Sequence, residues 1–266
     1  MSVRQQSRYC GEFAVETTGL DAGYAGRAVQ RGVDLGIRTG EIFVLLGGSG
    51  CGKSTVMRTL IGLQPPLRGR VTLLGETFAE AGREPDEDPP VRRRIGVMFQ
   101  NGALFGSKTL LENCAVPFET VPGPSRRDIE AIARDRLAAV GLAEEADLYP
   151  AQVSGGMQKR AAIARALVLD PEILFLDEPS AGLDPVTSAS LDELILRLRD
   201  ERRMTVVMVS HELASIQAVA DRAVFFDRAT HAPLDTGSPA HLRDASPHPA
   251  VRAFFNRAAE PPESRR

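Results

Sequence analysis

The feature that most constrains this chain is the glycine-rich stretch Gly47–Thr55, which reads GGSGCGKST. An apolar run over residues 42–46 precedes it, and a helical pattern over residues 55–63 follows it. The stretch fits G-x-x-x-x-G-K-[ST] without a gap, in the strand–loop–helix context that the pattern requires. The alternative, a chance glycine-rich turn after a buried strand, would rarely meet both conditions. The sequence therefore predicts an α/β core that holds a phosphate-binding loop.

The residue types in this loop suit a nucleoside triphosphate. Glycines let consecutive backbone N–H groups converge on an anion, and the positive N-terminal end of the next helix adds to that attraction. Lys53 supplies a point charge for the β- and γ-phosphates, and the Ser54 hydroxyl can ligate Mg²⁺. We expect phosphate contacts from Gly47, Gly48, Ser49, Gly50, Cys51, Gly52, Lys53, Ser54 and Thr55.

Length and charge limit the remaining possibilities. A chain of 266 residues suits one large α/β domain, or a core with a smaller lobe. The net charge of −3 argues against broad binding to nucleic acid, so no nucleic-acid partner is expected. No apolar run approaches the ~20 residues needed to cross a bilayer, so another chain would supply any spanning helices. The three cysteines lack metal-ligand spacing and suggest reduced thiols. Positive charge near Cys51 could lower its pKa, but a small residue that merely fits the loop is the favoured interpretation.

Two carboxylates follow a second apolar run, residues 173–176. In parallel α/β sheets, ligands lie at the carboxyl ends of the strands, so both acids could reach the phosphate loop. Asp177 would hold Mg²⁺, and Glu178 would orient and deprotonate the attacking water. The alternative is a pair of solvated acids at a strand end. The phosphate loop upstream favours the catalytic interpretation.

A second small-residue loop, Ser154-Gly155-Gly156, stands before the helical pattern of residues 158–169. By the same dipole argument it is a second anion-binding half-site. The alternative is an ordinary serine N-cap with glycines. With two half-sites in one chain, a head-to-tail dimer could use both, each subunit closing the other's pocket.

The pattern of apolar and turn residues predicts an alternation of strands with one inserted block of helices. Residues 75–94 are expected to be an irregular surface excursion, residues 223–227 an edge strand and the end of the chain disordered. The predicted strands are 13–16, 28–37, 70–74, 95–99, 173–176 and 205–210. The predicted helices are 109–115, 126–140, 157–169, 188–203 and 250–257.

The ordered set of motifs resembles an ATP-binding cassette (ABC) ATPase over roughly residues 13–227. The set comprises the phosphate loop, Gln100, Ser154–Gly156, Leu176-Asp177-Glu178, Ser180–Asp184 and His211. The resemblance implies a P-loop NTPase core with a parallel-sheet, RecA-like lobe, an antiparallel β subdomain and an inserted α-helical lobe. It also implies a homodimer that sandwiches two ATP molecules. The expected ATPase domain spans residues 9–236 (core 9–100 and 168–236, helical lobe 101–167), followed by a C-terminal extension, 237–266.

The resemblance also implies roles for single residues. Ser154 and Gly156 would contact the γ-phosphate held by the other subunit, and Asp184 would lie at the interface. His211 would sense the γ-phosphate, although a lone histidine is more often a core or surface residue. Gln100 would link Mg²⁺ or water to the helical lobe. Tyr24 would stack on adenine; the alternative is a half-buried loop tyrosine.

A narrower resemblance concerns residues 97–105, 154–160, 179–185 and 237–255, which are similar to the lipid-transport branch of Mla-type and MCE-associated ATPases. It implies a peripheral position on the cytoplasmic side of the inner membrane, with a permease and an MCE-type lipid-binding protein as partners. We expect the permease to dock at the exposed apolar residues of Asn101–Phe105. A small-solute importer, amino-acid-like in cargo, shares every catalytic motif and remains an alternative. A non-transport ABC ATPase is a further one, although the chain has neither the coiled-coil insertion nor the tandem cassettes common in that class.

Overall fold

The computed structural model describes residues 8–83, 90–121 and 123–256. Within this part of the chain the strands form two sheets, one with four strands and one with six. In chain order the strands are β1 (Phe13–Tyr24), β2 (Arg27–Arg38), β3 (Ile42–Gly47), β4 (Arg68–Leu73), β5 (Glu76–Glu80), β6 (Ile95–Met98), β7 (Ile173–Asp177), β8 (Thr205–Val209), β9 (Arg222–Phe226) and β10 (Pro233–Gly237).

The helices fill the spaces around these sheets. In chain order the α-helices are α1 (Lys53–Leu60), α2 (Leu110–Ala115), α3 (Arg126–Ala139), α4 (Gly155–Ala166), α5 (Pro185–Arg202), α6 (Leu213–Val219), α7 (Pro239–Asp244) and α8 (Pro249–Phe255). Short 3-10 turns lie at Pro90–Arg94, Val116–Thr120 and Pro150–Gln152. In the described residues, no helix combines the length and the apolar character of a membrane-crossing segment.

The six-stranded sheet has the order β10-β9-β3-β8-β7-β6. Its five strands from β9 to β6 run parallel, and β10 pairs antiparallel with β9. Every residue of β3 and of β8 is buried. Burial on both faces explains why both strands read as unbroken apolar runs rather than as alternating patterns.

The four-stranded sheet is antiparallel, with the order β2-β1-β4-β5, and packs over α1 and one face of the larger sheet. This arrangement confirms the predicted antiparallel β subdomain. β1 is three times as long as predicted and runs to Tyr24. The predicted strand was too short because polar residues interrupt the apolar alternation after residue 16. One of them, Thr17, is buried and donates a 2.7 Å hydrogen bond to the carbonyl of Val33.

The inserted block of residues 101–169 is helical, as predicted, with α2, α3 and α4 packed on one another. Capping boxes begin two of these helices. Thr109 caps α2 together with Glu112, and Ser125 caps α3 together with Asp128. These side chains satisfy N–H groups that a helix cannot satisfy internally, so the starts of both helices are encoded locally.

Some sequence-based predictions were wrong. The strand predicted at residues 223–227 is not at an edge, because β9 lies between β3 and β10. The segment predicted to be irregular contains β5, which pairs with β4. α6, α7 and β10 were not predicted. The C-terminal extension contains two helices where one was expected. Residue 257, the last residue of the predicted helix, and the end predicted to be disordered after it lie outside the described residues. The domain boundaries stay predictions.

Candidate nucleotide-binding and catalytic site

The order of the parallel strands brings the predicted site residues to one edge of the sheet. β3 ends at Gly47, where the phosphate loop begins, and β7 ends at Asp177. Between them, β8 ends at Val209, which is in register with both Leu45 and Asp177. His211 follows β8, and Gln100 follows β6 on the far side of β7. Parallel neighbours present their carboxyl ends together, so four separate segments converge there.

The phosphate loop requires glycine where its backbone meets neighbouring strands. A Cβ on Gly47, at φ +142°, would lie 2.3 Å from the carbonyl oxygen of Phe226 and 2.6 Å from the Cys51 sulfur. A Cβ on Gly52, at φ +106°, would lie 2.6 Å from a methyl carbon of Val29. Neither position tolerates a side chain, since both the backbone conformation and the space exclude it.

Lys53 begins α1 and is buried below the loop. Its ammonium donates hydrogen bonds to the carbonyl oxygens of Gly47, at 2.8 Å, and Gly48, at 3.1 Å. Ser54 and Thr55 follow in the first turn of α1, whose N–H groups have no intrahelical acceptor. Gly48, Ser49 and Gly50 are exposed. The loop therefore offers a cation and several N–H donors on an accessible surface, which is the chemistry of a phosphate site.

Gln30 supports the loop from β2, and sequence reasoning missed it. Its buried side-chain amide donates to the carbonyls of Cys51, at 2.7 Å, and Asp227, at 2.9 Å. The sequence feature that could have indicated this role is the presence of one polar residue, Gln30, among the otherwise apolar buried residues of β2. The Cys51 thiol beside it has a raised pKa, because burial outweighs the opposing charge of Lys53. The charge of Lys53 thus acts in the direction that the sequence suggested, but burial has the larger effect, so a net lowering of this pKa is not found.

Glu178 and His211 form a direct pair. The imidazole Nδ1 of His211 lies 2.8 Å from both carboxylate oxygens of Glu178. An ionised carboxylate only accepts hydrogen bonds, so Nδ1 is the protonated ring nitrogen and donates the hydrogen bond to Glu178. Glu178 is buried, whereas the side chain of His211 is 60% exposed, which leaves the other face of the ring accessible.

Asp177 has the properties of a cation ligand. Its Oδ1 is buried and has no hydrogen-bond partner. Burial raises the pKa of its carboxyl, the Glu178 carboxylate adds to this, and Arg58, Lys159 and Lys53 oppose it. An unpartnered carboxylate oxygen beside a second carboxylate favours a bound cation. Within the described residues, no group of three or more His, Cys, Asp or Glu side chains is arranged to hold a metal ion, so Mg²⁺ here would also need Ser54, Gln100 and phosphate oxygens.

The second predicted half-site lies elsewhere on the surface, next to the segment that contains Asp184. Ser154 caps α4, with its hydroxyl accepting from the N–H of Met157 at 3.3 Å, so the N-cap alternative describes its role within the chain. Gly155 is exposed. A Cβ on Gly156 would come within 2.6 Å of the Thr187 methyl group at the start of α5.

Asp184 caps α5 and accepts hydrogen bonds of 3.1 Å from the N–H groups of Val186 and Thr187. A further hydrogen bond from the Thr187 hydroxyl is the main reason that the pKa of Asp184 is lowered. The starts of α4 and α5 lie side by side, because Gly156 approaches Thr187, and Ser154, Gly155 and Asp184 are exposed. The nucleotide contacts predicted for Ser154, Gly155, Gly156 and Asp184 stay predictions.

Two further predicted residues are exposed. Tyr24 ends β1 with 61% of its surface accessible, so it is part of a strand and not of the turn that follows. Gln100 follows β6. The structure describes neither base stacking by Tyr24 nor a metal contact by Gln100, and both roles stay predictions.

Comparison with known proteins agrees with this geometry. A sequence model of the family described as "ABC transporter" matches residues 30–181, more than half of the chain. The chain belongs to the ABC transporter family. The fold, with its two sheets and inserted helices, is that of an ABC ATPase domain, which confirms the predicted fold class.

Two relatives illustrate the range within this family. A probable ribonucleotide transport ATP-binding protein, mkl, of Mycobacterium tuberculosis is 38% identical over 243 residues, which cover 91% of this chain and 66% of that protein. The chain thus spans about two thirds of the length of that relative. The L-cystine transport system ATP-binding protein TcyN of Escherichia coli is 35% identical over 248 residues, covering 92% of this chain and 98% of TcyN.

A solved structure is similar over most of the ABC domain. It is an ATP-binding cassette in a dimeric, post-hydrolysis state bound to ADP and Pi. It superposes with a TM-score of 0.74 at 29% identity, and the match covers 84% of this chain and 98% of that chain.

Proposed function

We propose that the chain is the ATP-hydrolysing subunit of an ABC transporter. The observation that carries the proposal is the buried Glu178 carboxylate, held by His211 at the same sheet edge as the phosphate loop. ATP would place its phosphates against the N–H groups of the loop and the Lys53 ammonium. Glu178 would accept a proton from water as the water oxygen bonds to the γ-phosphorus. The bond to the ADP oxygen breaks, and ADP and inorganic phosphate are the products.

Mg²⁺ would neutralise charge on the phosphates when bound. Asp177, Ser54 and Gln100 are the residues that would hold it, and the unpartnered Oδ1 of Asp177 supports this assignment. Asp177 and Glu178 therefore have separate roles. The Asp177 carboxylate would bind the cation, and the Glu178 carboxylate, hydrogen-bonded to His211, would accept the proton from water.

Two variants test the hydrolytic assignment. Lys53→Ala removes the buried ammonium and should weaken ATP binding. Glu178→Gln keeps the side chain nearly isosteric and should leave binding unchanged while lowering kcat by about 10²- to 10⁴-fold, the usual contribution of a general base. Equilibrium binding and single-turnover hydrolysis separate the two effects. A Glu178→Gln variant that hydrolyses ATP at the wild-type rate would remove Glu178 from this role.

We further propose that two chains form the active unit. The support is the outward-facing Ser154 and Asp184 loops, together with the dimeric state of the related ATP-binding cassette. Glu178→Gln with ATP should run as a dimer in size-exclusion chromatography. Adding Ser154→Arg should return it to a monomer, because a long side chain would fill the space for the partner's γ-phosphate. A dimer that persists would leave the Ser154 loop as a helix cap alone.

For the cargo, we propose a small polar solute of the amino-acid or nucleotide class, moved through a separate membrane permease on which this chain sits peripherally. The support is the pair of relatives, whose names refer to L-cystine and ribonucleotide transport. The match to TcyN covers 98% of that relative, so the similarity extends over nearly the whole of it.

Lipid transport is the second candidate, and it rests on the resemblance of residues 97–105, 154–160 and 179–185 to Mla-type and MCE-associated ATPases. The comparisons support the small-solute candidate better. Purification from native membranes in mild detergent, followed by identification of the permease and of bound lipid, separates them. A co-purifying MCE-type protein and vesicle lipid movement driven by ATP would favour lipid. Uptake of labelled amino acid or nucleotide without lipid movement would favour the small solute.

A further inference from the structure

Side chains of helix α4 donate hydrogen bonds to the main chain of the segment that begins at Gln100. Near its start, the Lys159 ammonium donates a hydrogen bond to the main-chain carbonyl of Gln100. Nearly two turns later, the Arg165 guanidinium donates to the carbonyls of Gly102 and Ala103, at 2.6 Å each. Cationic side chains of one helix thus hold three carbonyl groups of a connecting segment. These hydrogen bonds fix the position of the segment relative to α4.

Lys159 also contacts the main chain of Glu178, the proposed general base. Its ammonium lies 3.4 Å from the main-chain carbonyl oxygen of Glu178. Lys159 also lines a cleft with a volume of about 490 Å³, whose other lining residues belong to α4, to the Gln100 segment and to the segment after Glu178. Lys159 therefore joins three separate parts of the molecule: the inserted helices, Gln100 and Glu178.

Glu178 is a residue for which such a contact matters. Its φ is +50°, in the left-handed region that residues other than glycine rarely adopt. Such a conformation persists only where the surroundings hold it. On one side the Glu178 N–H donates to the carbonyl of Val209 at 3.0 Å, and on the other the carbonyl accepts from Lys159. His211 then meets the side chain.

We propose that Lys159 is a positioning residue that ties the orientation of Glu178 and the place of Gln100 to the location of α4. When α4 shifts with the inserted helices, the general base and the glutamine shift with it. This inference rests on the proposed ATPase activity and deepens it, because it makes hydrolysis depend on a contact made within a single chain.

The charge of Lys159 suits this place. Burial lowers the pKa of its ammonium, and the carboxylates of Asp177 and Glu178 oppose that effect. A neutral side chain of similar length would keep the packing of the cleft and lose the hydrogen bonds to both carbonyls. Replacement by methionine therefore isolates the contact, and replacement by arginine restores a cationic donor.

The test compares Lys159→Met, Lys159→Arg and a matched control, Gln158→Met. Gln158 is the preceding residue of α4, but its amide donates to the carbonyls of Pro150 and Val153, within the inserted segment. Lys159→Met should lower kcat about 10- to 100-fold, the scale of a small misplacement of a catalytic group, with the Kd for ATP within threefold of wild type. Lys159→Arg should recover most of the rate, and Gln158→Met should keep it.

The outcomes are distinct. Loss of kcat in Lys159→Met with unchanged ATP binding and thermal unfolding temperature, and recovery by Lys159→Arg, supports the inference. A wild-type kcat in Lys159→Met overturns it. So does an equal loss in Gln158→Met, or a loss that follows only a lower unfolding temperature and is not recovered by arginine. Failure of the wild-type protein to hydrolyse ATP would instead overturn the proposed function.

Discussion

At the scale of single residues, the three thiols lie in contrasting surroundings. Cys10 is exposed, whereas Cys51 and Cys114 are buried. Burial raises the pKa of Cys51 and raises that of Cys114 to about 12. Thiolate is the reactive form, so both buried groups are chemically quiet at neutral pH despite the loop position of Cys51.

We expect one thiol to react rapidly with a colorimetric disulfide reagent at pH 8, and two to react only as the chain opens. Cys10→Ser should abolish the fast phase and leave the slow phases unchanged. In denaturant all three thiols of the wild type should react at once. A fast phase that survives Cys10→Ser would show that Cys51 or Cys114 is accessible.

Single residues also show what the sequence could predict about the site. Lys53, Ser54, Asp177 and Glu178 could be named because their patterns have fixed local spacing. Gln30, Lys159 and the contact between His211 and Glu178 could not be assigned, since each depends on segments that meet only in the folded chain. Helix α4 was predicted, but the hydrogen bond from Lys159 on this helix to the carbonyl of Gln100 depends on three-dimensional packing.

At the scale of elements, a buried polar group links α5 to α6. Asp192 on α5 is 7% exposed, and burial raises the pKa of its carboxyl; Glu212 adds to this and a hydrogen bond from Ser215 opposes it. The Ser188 hydroxyl lies 3.4 Å from that of Ser215. Because the folded-state pKa is above the unfolded one, ionised Asp192 costs stability above the folded pKa. That cost disappears as pH falls through it.

Asp192→Asn should therefore stabilise the domain at pH 7 to 8, by about 2 °C in unfolding temperature, a shift that corresponds to roughly 1 kcal/mol or less at this size. The advantage should shrink as the pH is lowered to 4, because the raised pKa makes wild-type Asp192 bind a proton more readily than an ordinary aspartate does. Thermal unfolding monitored by circular dichroism across this range measures it. A constant difference at every pH would contradict the assignment, since ionisation would then play no part.

Elements also differ in how far local sequence encodes them. α3 could be predicted closely because it has a capping box and a clear apolar periodicity. α6, α7 and β10 each span five to seven residues, so little periodicity accumulates and tertiary packing decides their conformation. The misplacement of β9 at an edge has another cause. Strand order depends on pairing between distant segments, which no local pattern contains.

At the scale of the whole molecule, the C-terminal helices pack back on the main sheet. Leu242, Val251 and Phe255 are buried in the larger core, and the ring of Phe254 meets that of Phe225 at 5.3 Å, edge to face. Phe255→Ala should destabilise the domain by about 3 kcal/mol, the usual cost of removing a buried aromatic ring. Urea unfolding measures this.

Phe254→Ala is the matched comparison for that variant, because the neighbouring ring is only partly buried. It should cost clearly less than Phe255→Ala, and both variants should bind ATP as wild type does. Equal, small effects of the two substitutions would mean that the C-terminal helices add little to the stability of the folded core.

The surface of the inserted helices offers a test of permease docking. Phe105 is 50% exposed, whereas Leu104, also predicted to be exposed, is partly buried and packs on the core. Phe105→Asp should therefore uncouple transport with little effect on basal ATP hydrolysis, because a charge would be desolvated at the contact. Transport and hydrolysis measured together in reconstituted vesicles test this. Normal transport by Phe105→Asp would place the docking site elsewhere.

The strand order has a consequence for how the chain reaches its native state. β3 and β8 are hydrogen-bonded neighbours, yet more than half of the chain separates them. Parallel pairing across so long a loop is slow, since closure entropy is lost before the contacts form. A nucleotide recognises only the completed edge, and at a hundredfold excess over its Kd it favours the folded chain by about 2.7 kcal/mol. By binding only to the folded chain, ATP would thus promote folding before any of it is hydrolysed.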